Sequence, residues 1–182
     1  MRTGGTSPLR LACCNLMCWL TDTAVHSAAA YRWPDRIVIH PQSQTTAGFW
    51  IADRPITSIL PTTTVDDLGL AALQALRCSR SRLHVPNYKG ADWSNLQKEV
   101  WAATGQKSLR LFMTNACYAN LRLSGGVLTF EPTCNGGAVG PSCGFRPLLD
   151  VTLKVTVPVC AETLGNALAT AWNRCQPIAA GA

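Results

Sequence analysis

The run ACYANLRL at residues 116–123, the turn Ser124-Gly125-Gly126 and the run VLTFE at residues 127–131 decide the fold class. Two β-prone runs joined by adjacent glycines have the composition of a tight hairpin, because a two-residue turn needs positive φ at its centre. The strands on either side of it are therefore antiparallel. Upstream, Arg36–His40 reads as a short strand and Ala47–Asp53 as a second, with Pro41 and Gly48 bracketing their connection. Downstream, Val151, Leu153, Val155 and Val157 alternate with Thr152, Lys154 and Thr156, the pattern of an amphipathic strand over Asp150–Val157.

Helical phasing is equally clear in three places. Thr64 is followed three residues later by Asp67, a capping hydroxyl with a carboxylate, and Leu68, Ala71, Ala72, Ala75 and Leu76 then fall on one stripe. Leu164, Ala167, Leu168, Ala171 and Trp172 repeat that phasing near the C-terminus. Each stripe carries a glycine one step after its first Leu, Gly69 and Gly165. A mid-helix glycine costs about 1 kcal/mol relative to Ala, so these positions predict a neighbour that packs closely. Trp93, Leu96, Val100 and Trp101 form a third stripe, with Asp92 as its cap, Gly105 at its C-terminal stop and the tryptophans directed to the core. Residues 108–115 fit helix or strand. The expectation is an α+β fold, a largely antiparallel β-sheet with two or three amphipathic helices packed on one face.

At 182 residues the chain has the length of one domain, and such a domain buries about two thirds of its unfolded surface. A composition that is 47% hydrophobic and 14% charged excludes a disordered regulator. The net charge of +6 admits an anionic partner, but the basic residues are scattered, densest at Arg77, Arg80, Arg82 and Lys89. The cysteines number nine, an odd count without a Cys-x-x-Cys pair, which favours reduced thiols over a disulfide framework or zinc. Arg2, Arg10 and the apolar residues 11–20 imitate a secretory signal, but Asn15 interrupts a short stretch, and no run approaches the roughly 18 apolar residues of a membrane span. Residues 1–33 are read as an N-terminal extension, 34–176 as the domain and 177–182 as a tail.

A catalytic constellation is not expected. His40 or His84 could be paired with Cys134 or Cys143 as base and nucleophile, yet no spacing supports it. Asp66, Asp67 and Glu162 sit where helix N-termini favour negative charge. The Gly-rich residues 135–140 lack the Gly-Lys-Ser/Thr ending of a phosphate loop and read as a flexible connection. No cofactor and no metal are expected.

Five short segments carry a resemblance: Arg80–Arg82, Trp93-Ser94-Asn95-Leu96, Thr104-Gly105-Gln106-Lys107-Ser108, Gly126–Pro132 and Leu164-Gly165-Asn166-Ala167-Leu168. In this order the chain, over residues 35–175, resembles the immunity proteins of contact-dependent growth inhibition systems. The resemblance implies a cytoplasmic, non-enzymatic inhibitor that binds and neutralises the C-terminal toxin domain, commonly a nuclease, of a large effector. Nucleic acid and membrane are then not partners. Charge and aromatic character in the loops single out Arg80, Arg82, Tyr88, Lys89, Lys107 and Arg110 as toxin contacts. The rival is a single-stranded nucleic-acid binding module stacking bases on Trp93, Trp101, Tyr88 or Phe112.

One consequence concerns redox conditions. The chain is expected to stay folded in reductant; a loss above about 2 kcal/mol in denaturant titrations with and without reductant, the scale of a native disulfide, would contradict this.

Overall fold

Residues 24–176 and residue 178 are described by the computed structural model of the chain. In chain order its elements are β1 (His26–Arg32), β2 (Ile37–Gln44), β3 (Trp50–Ala52), β4 (Thr57–Ile59), α1 (Val65–Cys78), α2 (Ala91–Thr104), α3 (Leu109–Met113), β5 (Cys117–Ser124), β6 (Val127–Asn135), β7 (Phe145–Pro147), β8 (Leu153–Thr156) and α4 (Ala161–Arg174). The strands form one sheet in the order β3-β2-β1-β5-β6-β7, with β4 also on β2 and β8 also on β6. Each of its ladders is antiparallel. The α+β reading stands.

The hairpin that decided it closes between Ser124 and Val127, with φ of +56° at Gly125 and +75° at Gly126. Positive φ at both central residues is the requirement of a type I′ turn. The Thr64 hydroxyl accepts from the Asp67 amide at 3.2 Å and donates to its carboxylate at 2.7 Å, starting α1 as expected. The main core lies between this sheet and α1 with α4, where Ala28, Ala30, Ile39, Leu121 and Phe130 meet Leu68, Ala72, Leu76, Leu164, Leu168 and Trp172.

Gly69 and Gly165 explain how the two helices approach. A Cβ on Gly69 would fall 1.9 Å from the Ala161 carbonyl oxygen, and one on Gly165 would fall 1.9 Å from that of Val65. The first turns of α1 and α4 therefore touch backbone to backbone, each glycine lying against the other helix's first residue.

Four expectations are corrected. The domain does not begin at residue 34: β1 is hydrogen-bonded on both edges at the middle of the sheet, and Ala28, Ala29 and Ala30 are fully buried. The rest of the expected extension, residues 1–23, lies outside the described residues, as does the expected tail apart from residue 178. The helix bearing Trp93 and Trp101 starts at Ala91 with Gly90 as its cap, so Asp92 sits inside the first turn. Gly105 does end it, in the left-handed region.

That helix also does not bury its tryptophans in the main core. Only Leu96 and Thr104 are buried on it, and Trp101 remains 37% exposed while stacking on Phe112. Ala103 and Phe112 instead pack on a second cluster, Trp33, Val38 and Ala116, formed by residues that alternate with those facing α1 and α4. Finally, the Gly-rich connection is held closed: the Gly136 amide donates to Gly144 and the Gly144 amide to Gly137, while Asn135 bonds the carbonyls of Met113 and Ala116.

Alanine at Gly69 or Gly165 should reverse the usual sign of a helical Gly→Ala change. Each is expected to lower stability by about 2 kcal/mol, the scale of overpacking, against a propensity gain of about 1 kcal/mol. Urea denaturation of Gly69→Ala and Gly165→Ala measures it, and unchanged or raised stability refutes the close contact.

Candidate functional site

The segment between α1 and α2 carries four of the six residues singled out, and its first half is fastened to β2. The Ser79 hydroxyl donates to Gln42 O at 2.6 Å and accepts from the Ser27 amide at 3.0 Å. The Gln44 amide then donates to Arg80 O, Leu83 to Gln44 O and Thr46 to Leu83 O, so the loop lies along the end of β2 as a short parallel bridge. Arg80 is the clamp of this arrangement. Its guanidinium grips Asp53 through two bonds of 2.9 Å, and the same carboxylate accepts from the Ser43 hydroxyl at 2.6 Å and the Arg54 amide at 2.8 Å. A planar fork on a carboxylate fixes direction as well as charge. Arg80 therefore supports the surface, with its charge largely spent on Asp53.

Beyond the clamp the loop projects. Arg82 is exposed, with φ of +59°. Tyr88, half exposed, packs edge to face on Trp93 with centroids 5.0 Å apart and lies 6.5 Å from Phe49. The Lys89 amide donates to the Asn87 side chain at 3.1 Å, a local turn that leads into α2. Lys107 and Arg110 are exposed at the other end of α2, where Ser108 caps α3 by accepting from the Leu111 amide. The 14 residues of α2 separate the two groups by about 20 Å. The structure thus gathers Arg80, Arg82, Tyr88 and Lys89 on one loop and sets Lys107 and Arg110 apart from them.

Ion pairs among the described residues join Arg36 to Asp35, Arg54 to Glu99 and Arg80 to Asp53. Among the described residues no ion pair engages Arg82, Lys89, Lys107 or Arg110. Glu99, on α2, is held below the usual carboxylate range by its hydrogen bonds from Arg54. These two, with Pro55, Ile56, Ala102 and Ala103, line an open depression of about 620 Å³ between the two basic groups.

The open face of the sheet holds a second cavity, of about 240 Å³, lined by Gln42, Trp50, Tyr118, Asn120, Arg122 and Glu131 among others. Asn120 donates to Glu131 at 2.8 Å, Gln42 to the Tyr118 phenol at 3.4 Å, and the Arg122 guanidinium lies 5.4 Å from the Trp50 ring centroid. Burial pushes the Tyr118 phenol up to about 12, and burial also raises that of Tyr31, stacked on it at 4.6 Å. Both phenols stay protonated across neutral pH and act by hydrogen bonding and stacking. The sequence reading missed this face, although its signal was present: residues 118, 120 and 122 alternate with the buried 119, 121 and 123.

His40 is buried on β2 with Nδ1 2.8 Å from the Pro41 carbonyl, and burial lowers its pKa, so the imidazole is neutral and donates there. His84 is exposed on the loop. Among the described residues no hydrogen bond joins either to Cys134 or Cys143, and no three His, Cys, Asp or Glu converge as a metal site. No described helix is long and apolar enough to cross a membrane.

No family model and no curated protein matches the chain. Solved structures do. A protein of unknown function from Neisseria meningitidis superposes with a TM-score of 0.70 at 17% identity, covering 85% of this chain and 98% of its own. A chain of a CdiA-CT/CdiI toxin and immunity complex from Yersinia pseudotuberculosis superposes with a TM-score of 0.69 at 15% identity, covering 84% and 98%. At such identities the likeness is one of fold. It spans nearly the whole of both neighbours.

The clamp can be tested by removing its carboxylate. Asp53→Ala is expected to cost about 2 kcal/mol, since it strands the Ser43 hydroxyl and releases the Arg80 fork. Limited trypsin digestion should then cut faster at Arg80, Arg82 and Lys89; cleavage at the parent rate would show that the loop does not depend on Asp53.

Proposed function

We propose that this protein is a cytoplasmic immunity protein of a contact-dependent growth inhibition system, which binds one toxin domain, a nuclease, and blocks it without turnover. The observation that carries this reading is the fold it shares, over nearly its full described length, with a chain of a toxin and immunity complex. The order of short sequence segments from Arg80–Arg82 to Leu164–Leu168 adds an independent argument.

The proposed toxin surface comprises Arg82, Tyr88, Lys89, Lys107 and Arg110, with Arg80 holding the loop that presents the first three. Unpaired cations beside an exposed tyrosine suit an acidic protein face, where complementary charge selects the partner and speeds encounter. A stable complex buries on the order of 1,200–2,000 Å² in total. One side of such an interface is wide enough to reach both ends of α2.

The single-stranded nucleic-acid reading is the weaker one. Its stacking platforms are occupied: Trp101 lies 5.7 Å from Phe112 in a near-parallel stack, and Trp93 is packed against Tyr88. Binding of a labelled oligonucleotide with a steep salt dependence would nevertheless reverse the preference.

Co-expression with the toxin domain encoded beside it should yield a copurifying complex and protect cells, while divergent toxins should be neither bound nor blocked. Failure to recover or protect against the adjacent toxin rejects the proposal. Combining Arg82→Glu, Lys89→Glu and Lys107→Glu should weaken toxin binding at least about ten-fold, with a stability change within about 0.5 kcal/mol for each surface site. Unchanged affinity in the folded triple variant moves the interface off these loops.

A further inference from the structure

Two thiols from distant parts of the chain meet beside Arg32. Cys117 opens β5, directly across the ladder from Arg32 on β1. Cys175 follows the last residue of α4, and its sulfur lies 3.2 Å from the carbonyl oxygen of Tyr118, the residue after Cys117, with the Cys117 thiol as its neighbour. Both thiols are free, partly exposed and packed at the margin of the main core.

Their surroundings hold them in place. The Cys175 amide donates to Trp172 O at 3.1 Å and the next amide, of Gln176, donates to Thr133 O at 3.0 Å, so Cys175 is fixed between the helix end and β6. The Arg32 guanidinium rests 5.4 Å from the Trp172 ring centroid and donates to Asn173 at 3.3 and 3.4 Å, which leaves it beside the Cys117 sulfur as well.

We propose that Cys117 and Cys175 are a hydroperoxide-sensitive dithiol that closes to an intramolecular disulfide, with Cys117 attacking and Cys175 resolving. The order follows from their environments. Interaction with the Cys175 thiol, aided by Arg32, holds the Cys117 thiol below the usual thiol range. The Cys175 thiol is pushed up by its interaction with Cys117 and by burial. The thiolate is the nucleophile, so Cys117 reacts first.

The Cys117 thiolate attacks one oxygen of the peroxide; an S–O bond forms, the O–O bond breaks, and the departing hydroxide takes up a proton to leave as water. Cys117 is now a sulfenic acid. The Cys175 sulfur then attacks the Cys117 sulfur, the S–S bond forms, the S–O bond breaks, and the Cys175 proton leaves with the hydroxide as a second water. Two thiols have lost two electrons to one peroxide. A dithiol reductant reverses the bond by exchange.

The bond would tie the end of α4 to the start of β5, fixing the helix that carries Gly165 onto the sheet. The inference is independent of the toxin partner, because it is tested on the isolated chain.

Hydrogen peroxide treatment of the purified full chain, followed by alkylation and peptide mass mapping, should give one Cys117–Cys175 linked peptide that dithiothreitol removes. Dimedone, which traps sulfenic acid, should label Cys117 in the Cys175→Ser variant and leave Cys175 unlabelled in Cys117→Ser. Mapping of the parent chain needs neither variant to fold. Pairing elsewhere, or over-oxidation of Cys117 with Cys175 still a free thiol, overturns the proposal; equal dimedone labelling of Cys175 overturns the order of attack.

Discussion

The backbone contact between the first turns of α1 and α4 is the constraint on which the rest of the structure depends. With the carbonyls of Ala161 and Val65 standing where Cβ atoms of Gly69 and Gly165 would be, the helices meet without side chains between them. Helices this close can lie together over one strip of sheet only if the strip is also slim. Ala28 and Ala30 on the central strand provide that, and Ala72 and Ala171 line the helices above it. Trp172 fills the remaining width, and its indole N–H reaches the Ala30 carbonyl at 3.2 Å. A larger side chain on β1 would lift both helices, and lifting either would part the glycine contact.

This economy on one face leaves the large aromatics to the other. Tyr31 and Trp33 alternate with Ala30 and Arg32 along β1, so they point away from α1 and α4 toward Tyr118, Phe112 and Phe145. The second cluster is thereby built from the same strand as the first, and α2 with α3 closes its side, the Trp33 indole donating to Phe112 O at 2.9 Å. Between them the two faces account for a sheet that is buried at its middle and open toward the Gln42, Tyr118 and Arg122 cavity.

What was legible in the sequence was local. The Gly125-Gly126 turn, the Thr64 cap and the Gly105 stop each need only a few neighbouring residues, and each appears where expected. The central strand was not legible, because a strand buried on both faces shows no alternation, and alanine has little β-propensity to betray it. Pro41 read as a stop for a similar reason. In the structure β2 runs through it, since β4 pairs with residues 37–39 and β3 with 42–44, leaving Pro41 at the gap where no ladder bond is lost on that edge. The loop charges were visible as exposed candidates, but Arg80 as a clamp required knowing that Asp53 lies beside it, a fact of tertiary structure alone.

Charge pairing also decides what kind of recognition the proposed toxin surface can perform. Arg80 and Arg54 are matched by Asp53 and Glu99, and the cations proposed to meet the toxin fall in two groups, Arg82 with Lys89 and Lys107 with Arg110, at opposite ends of α2. Their separation of about 20 Å is twice the Debye length of about 10 Å at 0.1 M salt, so in solution the groups scarcely reinforce each other's field. At that spacing the two groups do not act as one basic stripe, and each draws in only the part of a partner that faces it. Selectivity has to arise at contact, where each cation meets its own acidic counterpart and Tyr88 supplies apolar area. A partner that engages both groups must be as broad as the helix is long, and its losses on removing one group or the other should be nearly additive.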